Sequence, residues 1–278
     1  MALRVADLLQ PRRARAILEA FVLANFAFLI LDVYLAHSVN NFRHAAEWVP
    51  LGFSVLATAV LAATFPSVAR GTPGRLSHRA GLTIGLASIA LGIAGLIYHL
   101  EGQFFEQRTL RSLVYTAPFA APLAYSGVGF LLVLNRVAAQ QSHEWRWWVL
   151  FLAMGGFVGC FVLAVCDHAQ NGFFYRSEWW PVVSSAIAVG VLAMVLADHG
   201  RAHRGIVLAM LALQAVTGVA GFWYHFSADV SGLSASLFEN FVHGTPVFAP
   251  LLFVDLAVLA AIGMLVPAGK EPQGQAMR

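Results

Sequence analysis

Charged side chains are scarce in this chain of 278 residues: Asp, Glu, Lys and Arg make up 11% of it, whereas 59% is hydrophobic. A soluble domain has about 25% charged residues, because its surface faces water. The scarcity excludes a soluble globular fold. It predicts an all-α integral membrane protein in contact with a lipid bilayer.

Lysine and cysteine are nearly absent. Lys270 is the single lysine among the seventeen basic residues, an arginine bias typical of a GC-rich bacterial genome. The basic residues are scattered over short loops and form no patch, which argues against a nucleic-acid partner. Cys160 and Cys166 lie on different sides of one apolar run, so they cannot form a disulfide bond with each other.

Signature motifs of common enzymes are missing as well. The sequence contains no Gly-rich phosphate-binding loop, no nucleophile elbow and no HExxH zinc motif. If the protein is an enzyme, these absences favour a membrane oxidoreductase over a hydrolase.

Long apolar runs dominate the chain instead. Eight runs have roughly the twenty residues that a bilayer-spanning helix requires. The sequence therefore predicts eight transmembrane helices, at 16–37, 49–69, 80–99, 115–135, 147–168, 180–198, 205–225 and 244–266.

Arginine and lysine in the loops predict the orientation. Thirteen of them lie on the side of the two termini and four on the other side. Because basic loops stay in the cytoplasm, both termini are expected there, with the chain in the inner (cytoplasmic) membrane. The predicted organisation is a cytoplasmic segment (1–15), a four-helix unit (16–137), a cytoplasmic linker (138–146), a second four-helix unit (147–266) and a cytoplasmic tail (267–278).

One polar segment occurs twice. HSVNNFRHAAEWVP (37–50) resembles HAQNGFFYRSEWWP (168–181), and aligning 36–62 with 167–193 without a gap gives eleven identities in 27 positions. Two further matches pair 92–99 with 218–225 and 118–123 with 246–251. Four helices separate the copies, so both have the same orientation. The sequence thus predicts a tandem parallel duplication of a four-helix unit.

Histidine and glutamate recur at the helix ends that meet on the outer side. His37 and His99 end the first and third predicted helices, and Glu47 precedes the second. The second unit repeats them as His168, His225 and Glu178. First and third helices of a four-helix bundle are diagonal neighbours, so their histidines can face each other.

Two chemistries fit such histidine pairs. One is axial ligation of haem b, with a flat macrocycle lying close to the backbone at Gly92, Gly95, Gly218 and Gly221. The other adds Glu47 or Glu178 to make a two-His-one-carboxylate site for iron, copper or zinc. A third interpretation needs no ligand: a glutamate at a helix N-terminus and interfacial aromatic residues stabilise the helix ends.

Asp32 and Asp255 lie inside predicted spans and align with Leu163 and Gly127, so neither is repeated. A carboxylate at the centre of a membrane helix costs about 3 kcal/mol on insertion scales. Each therefore requires a partner or a proton, and we expect either a proton relay or a hydrogen bond between helices.

Prolines mark the outer starts of the fourth and eighth predicted helices, at 118, 122, 246 and 250. The outer loops before them, 100–114 and 226–243, have apolar residues at helical spacing. They are predicted to form short helices lying on the membrane.

Three functions remain open. The first is electron transfer or redox chemistry at the outer face, with a quinone or other lipid-soluble small molecule and a periplasmic redox partner. The second is a transporter or channel that uses Asp32 and Asp255. The third is a membrane scaffold or assembly factor.

Overall fold

A computed structural model describes residues 11–138, 143–197 and 204–265, and every regular element within these ranges is a helix. The predicted terminal segments and residues 139–142 of the predicted linker lie largely or wholly outside the described residues. The helices are α1 (Pro11–Ser38), α2 (Ala45–Ala69), α3 (Arg75–Glu101), α4 (Phe104–Gln107), α5 (Leu110–Tyr115), α6 (Leu123–Val137), α7 (His143–Gln170), α8 (Trp179–Ala197), α9 (Arg204–Val230), α10 (Leu237–His243) and α11 (Leu251–Leu265).

Six helices, α1, α2, α3, α7, α8 and α9, are long and apolar enough to cross a membrane. Each coincides with one of the runs that the sequence predicts as a span. The fold is therefore that of a multi-pass helical membrane protein in contact with lipid. The short helices α4, α5 and α10 occupy the two loops, 100–114 and 226–243, in which such helices are expected.

The two remaining apolar helices, α6 and α11, are shorter than predicted. Each has 15 residues, about 22 Å of helix, against a hydrocarbon core of about 30 Å. The predicted starts at 115 and 244 are wrong, because the proline-containing segments before the helices form turns. In these turns Ala121 N donates to Pro118 O and Ala249 N to Pro246 O, both at 3.1 Å. Proline lacks an N–H and disfavours a regular helix at these positions.

The long helices form two rings. In the first, α1 contacts α2, α2 contacts α3, α3 contacts α6, and α6 returns to α1. In the second, α7, α8, α9 and α11 contact one another in the same cyclic order. We call these rings the first and the second bundle. The first and third long helix of each bundle lie on a diagonal, as predicted.

The two bundles meet along a surface that we call the seam. Helix α1 contacts α11, and α6 contacts α7. The short helices cross over: α5 contacts α7, and α10 contacts α1. Gln170 Nε2 donates to Val114 O at 3.0 Å in one crossing, and the rings of Tyr34 and Phe238 lie 6.4 Å apart in the other. Exchanging the two bundles thus leaves the contacts among the long helices and these seam contacts unchanged.

Glycines allow α3 to approach α6 closely. A Cβ at Gly92 would lie 2.8 Å from Pro122 O, and one at Gly95 would lie 2.6 Å from Pro122 Cβ. The second bundle repeats both contacts, with Gly218 and Gly221 against Pro250. The expectation that these four glycines face a flat macrocycle is therefore wrong, because a neighbouring helix fills the space beside them, as at small-residue interfaces in membrane bundles.

Candidate functional site

Aromatic stacking shapes the turn between the first two long helices of each bundle. Phe42 has φ 49° and Phe173 has φ 53°, a left-handed conformation unusual for a bulky residue. Phe42 stacks on Trp48 with ring centroids 4.3 Å apart, and Phe173 on Trp179 at 4.0 Å. The repeated Phe and Trp therefore hold the turn that brings the next helix back beside the histidine.

The repeated glutamates each accept one hydrogen bond from the same turn. Asn40 Nδ2 donates to Glu47 Oε1 at 3.4 Å, and Asn171 Nδ2 to Glu178 Oε1 at 3.0 Å. The second oxygen of each, Oε2, is buried and has no hydrogen-bond partner among the described residues. Glu47 also lies in the first turn of α2, where a negative charge is favourable. Helix stabilisation accounts for the position of the glutamates but leaves Oε2 without a partner.

His99 lies in the last turn of α3, and His225 lies near the end of α9. The same kind of hydrogen bond orients both rings. His99 Nδ1 lies 3.0 Å from Pro118 O, and His225 Nδ1 lies 3.0 Å from Pro246 O. A carbonyl only accepts, so Nδ1 carries the hydrogen and Nε2 has the free lone pair. The non-helical proline segments place their carbonyls beside the rings. Metal-ligating histidines usually have their other ring nitrogen oriented by such a partner.

Each histidine pair converges on its glutamate at one end of a bundle. The ring centroids of His37 and His99 are 6.5 Å apart, with an interplanar angle of 76°. His37 lies within electrostatic range of Glu47 and His99. In the second bundle, His168 lies within range of Glu178 and His225. The structure thus brings together the residues of both predicted sets.

The spacing of the histidines suits two ligands better than three. Within residues 11–138, 143–197 and 204–265, no three His, Cys, Asp or Glu side chains are close enough together to hold a metal ion. Two imidazoles on opposite sides of one ion, each nitrogen at about 2 Å, have ring centroids roughly 6 Å apart. The His37–His99 separation of 6.5 Å is close to that value. His37 Nδ1 is buried and has no hydrogen-bond partner of good geometry in the described part of the chain, and the backbone of Glu47 lies beside the ring.

The two unrepeated acids lie apart from the histidines. Asp255 Oδ1 accepts a hydrogen bond from Asn25 Nδ2 at 3.0 Å across the seam, so Asp255 makes the hydrogen bond between helices that was one of the two expectations. Asp32 makes no hydrogen bond to any described residue, and Tyr125 is within its electrostatic range. Asp32 precedes His37 by five residues on α1, which places the two on different sides of the helix.

A buried charged cluster is a feature that sequence reasoning missed. Arg136 Nη1 donates to Glu19 Oε2 at 2.7 Å, and Nη2 donates to Glu19 Oε1. Asn135 Nδ2 donates to Glu19 Oε2 at 2.8 Å. Glu19 is 0% exposed and Arg136 is 9% exposed. Arg136 lies just after the predicted fourth span (115–135) and is buried in α6. An available signal was Glu19, an acid inside the first apolar run.

Two other histidines, predicted on the outer side, stay outside the converging groups. His44 is the N-cap residue of α2 and makes no side-chain capping bond. His243 pairs with Glu239 at 3.3 Å on the surface. Both fall outside the repeated set in the sequence too, so they are matched controls for the histidines that converge.

Comparison of the chain with protein-family models, with curated proteins and with solved structures gives no match.

Proposed function

We propose that the protein binds a transition metal through the paired histidines at the ends of its bundles and takes part in redox chemistry or electron transfer. The observation that carries the proposal is the matched orientation of His99 and His225. Each donates Nδ1–H to a proline carbonyl at 3.0 Å. Helix capping does not require this arrangement, and it prepares Nε2 to bind a metal.

A bare ion is favoured over haem b. The glycines beside which a haem macrocycle was expected pack against Pro122 and Pro250. Imidazole nitrogen is a ligand for iron, copper and zinc alike. In the first bundle His37 and His99 would hold the ion, and Glu47 Oε2, which has no partner among the described residues, would balance its charge. His168, His225 and Glu178 would do the same in the second bundle. Haem iron bound by the same pairs remains the second candidate.

The topology is part of the proposal. We infer eight membrane crossings from a tandem parallel duplication, with α6 and α11 crossing together with the proline turns that precede them. The matching contacts of the long helices in the two bundles and across the seam support the duplication. The excess of basic residues supports cytoplasmic termini in the inner membrane of a bacterium. The metal would then lie near the outer face, within reach of a periplasmic redox partner or a quinone-like molecule from the lipid.

Metal and haem content of purified variants tests this function. His99→Ala is expected to lower the bound metal by about half if both bundles are loaded, and His99→Ala combined with His225→Ala is expected to abolish it. The measurement is elemental analysis per polypeptide together with an absorption spectrum. A bare ion gives stoichiometric iron, copper or zinc without a haem spectrum.

The matched controls are His44→Ala and His243→Ala, which remove outer-side histidines that do not converge. They should retain the wild-type metal content. Wild-type protein without metal or haem would refute the proposal and favour a transporter or a scaffold. So would equal losses in the control and the site variants.

A further inference from the structure

The seam contains an acid at mid-depth. The membrane-spanning part of α1 runs from Arg13 to Ser38, and Asn25 lies at its centre. Asn25 Nδ2 donates to Asp255 Oδ1 at 3.0 Å and to Phe21 O at 3.0 Å. The one described hydrogen bond of Asp255 thus comes from a neutral amide of the other bundle.

Among the residues that the structure describes, no basic group faces Asp255. Helices α1, α7 and α9 pack against α11. From α1 the polar groups are Asn25 and, two turns further out, Asp32. From α7, Cys160 is buried within electrostatic range. Between Arg204 and Tyr224, α9 has no titratable residue.

The charge of Asp255 follows from these neighbours. An ionised carboxylate inside the hydrocarbon region with one neutral donor is strongly disfavoured. Both N–H groups of the Asn25 amide are used, one for Phe21 O and one for Asp255 Oδ1. The amide therefore presents its positive end to the acid, which opposes a metal cation and leaves Oδ2 to carry a proton. We propose that Asp255 is a proton-binding site between the two bundles and holds its proton at neutral pH.

Packing alone does not account for this pair. Under the proposed duplication, Asn25 corresponds to Gly156 and Asp255 to Gly127. A Cβ at Gly156 would meet Leu256 of α11, and one at Gly127 would meet nothing within 4 Å. The fold thus tolerates two glycines at the positions that correspond to the amide and the acid. A proton at a midplane site between two repeats is suited to coupling proton uptake to their relative movement.

Infrared difference spectroscopy of the protein in lipid at neutral pH tests the proposal. Wild type is expected to show the C=O stretching band of a protonated carboxyl group, and Asp255→Asn is expected to lose that component. Asn25→Ala should keep the band but shift it, because the amide donor is gone. Glu106→Gln removes an exposed carboxylate of α4 and should leave the band unchanged.

If Asp255→Asn and wild type have identical spectra where the protonated carboxyl group absorbs, the proposal is overturned. Loss of the wild-type band on adding sodium chloride to a salt-free sample would overturn it too, because a cation would then replace the proton. The site does not depend on the histidines, so Asp255→Asn should keep its metal content. Failure of one proposal therefore leaves the other standing.

Discussion

Arg136→Met alone is expected to destabilise the first bundle by about 3–5 kcal/mol, the usual effect of removing one partner of a buried ion pair. The Glu19 carboxylate would remain fully buried and would lose both hydrogen bonds from the guanidinium. Glu19→Leu alone should be similarly harmful, because it leaves the arginine without its carboxylate. Reversible unfolding of the purified protein in mixed micelles measures the free energy of unfolding of each variant.

The second bundle indicates which double substitution should restore the stability lost in the single variants. Leu150 and Met264 align with Glu19 and Arg136, and a Cβ at Gly263, which aligns with Asn135, would lie 2.8 Å from Leu150 Cδ2. Leu150 therefore packs against the α11 position that corresponds to Asn135, and apolar residues stand at the two positions of the ion pair. Glu19→Leu combined with Arg136→Met is expected to recover to within about 1 kcal/mol of wild type, since well-packed apolar residues often replace a buried pair without loss. A double variant no more stable than either single variant would show that the pair has a role beyond packing.

Gly92→Leu is expected to force α3 away from α6. A Cβ at Gly92 would lie 2.7 Å from Ser126 N and 2.8 Å from Pro122 O, and backbone atoms cannot rotate aside as a side chain can. Overpacking commonly costs about 1–3 kcal/mol, and a shift of the backbone is expected to place this variant at the upper end. The movement should also separate His99 from Pro118 O and reduce metal binding. Thermal unfolding and metal content are both measured.

Gly155→Leu is the matched control for this prediction. Gly155 lies on α7 in the middle of a helix, and a Cβ there meets nothing within 4 Å. It should unfold at nearly the wild-type temperature and keep its metal. Equal damage from the two substitutions would mean that the close approach of α3 and α6 does not determine stability.

The sequence was sufficient for features that depend on local pattern or repetition. Span-length apolar runs located α1, α2, α3, α7, α8 and α9, because a bilayer requires long uninterrupted helices. The repeat identified His37, Glu47 and His99 and their counterparts, since equivalent positions in two bundles occupy equivalent places. The alternating direction of successive helices then predicts that these residues lie at the same end of each bundle.

Features that depend on a specific tertiary partner could not be read from the sequence. Gly92 and Gly95 precede a histidine in the chain, but only the structure shows that Pro122 occupies the space beside them. The proline turns before α6 and α11 fall inside predicted helices, because the apolar composition continues through them. The seam pairing of Asn25 with Asp255 joins residues 230 positions apart, and nothing in the sequence connects them.

X-ray absorption spectroscopy at the edge of the bound metal tests the central claim most directly, because it reports the ligands of the ion themselves. The account predicts scattering from imidazole nitrogens at about 2 Å, two histidines per metal, and its loss in the combined His99→Ala and His225→Ala variant. A coordination shell of oxygen or sulfur without imidazole, in a protein that keeps its metal when both histidines are removed, would contradict it.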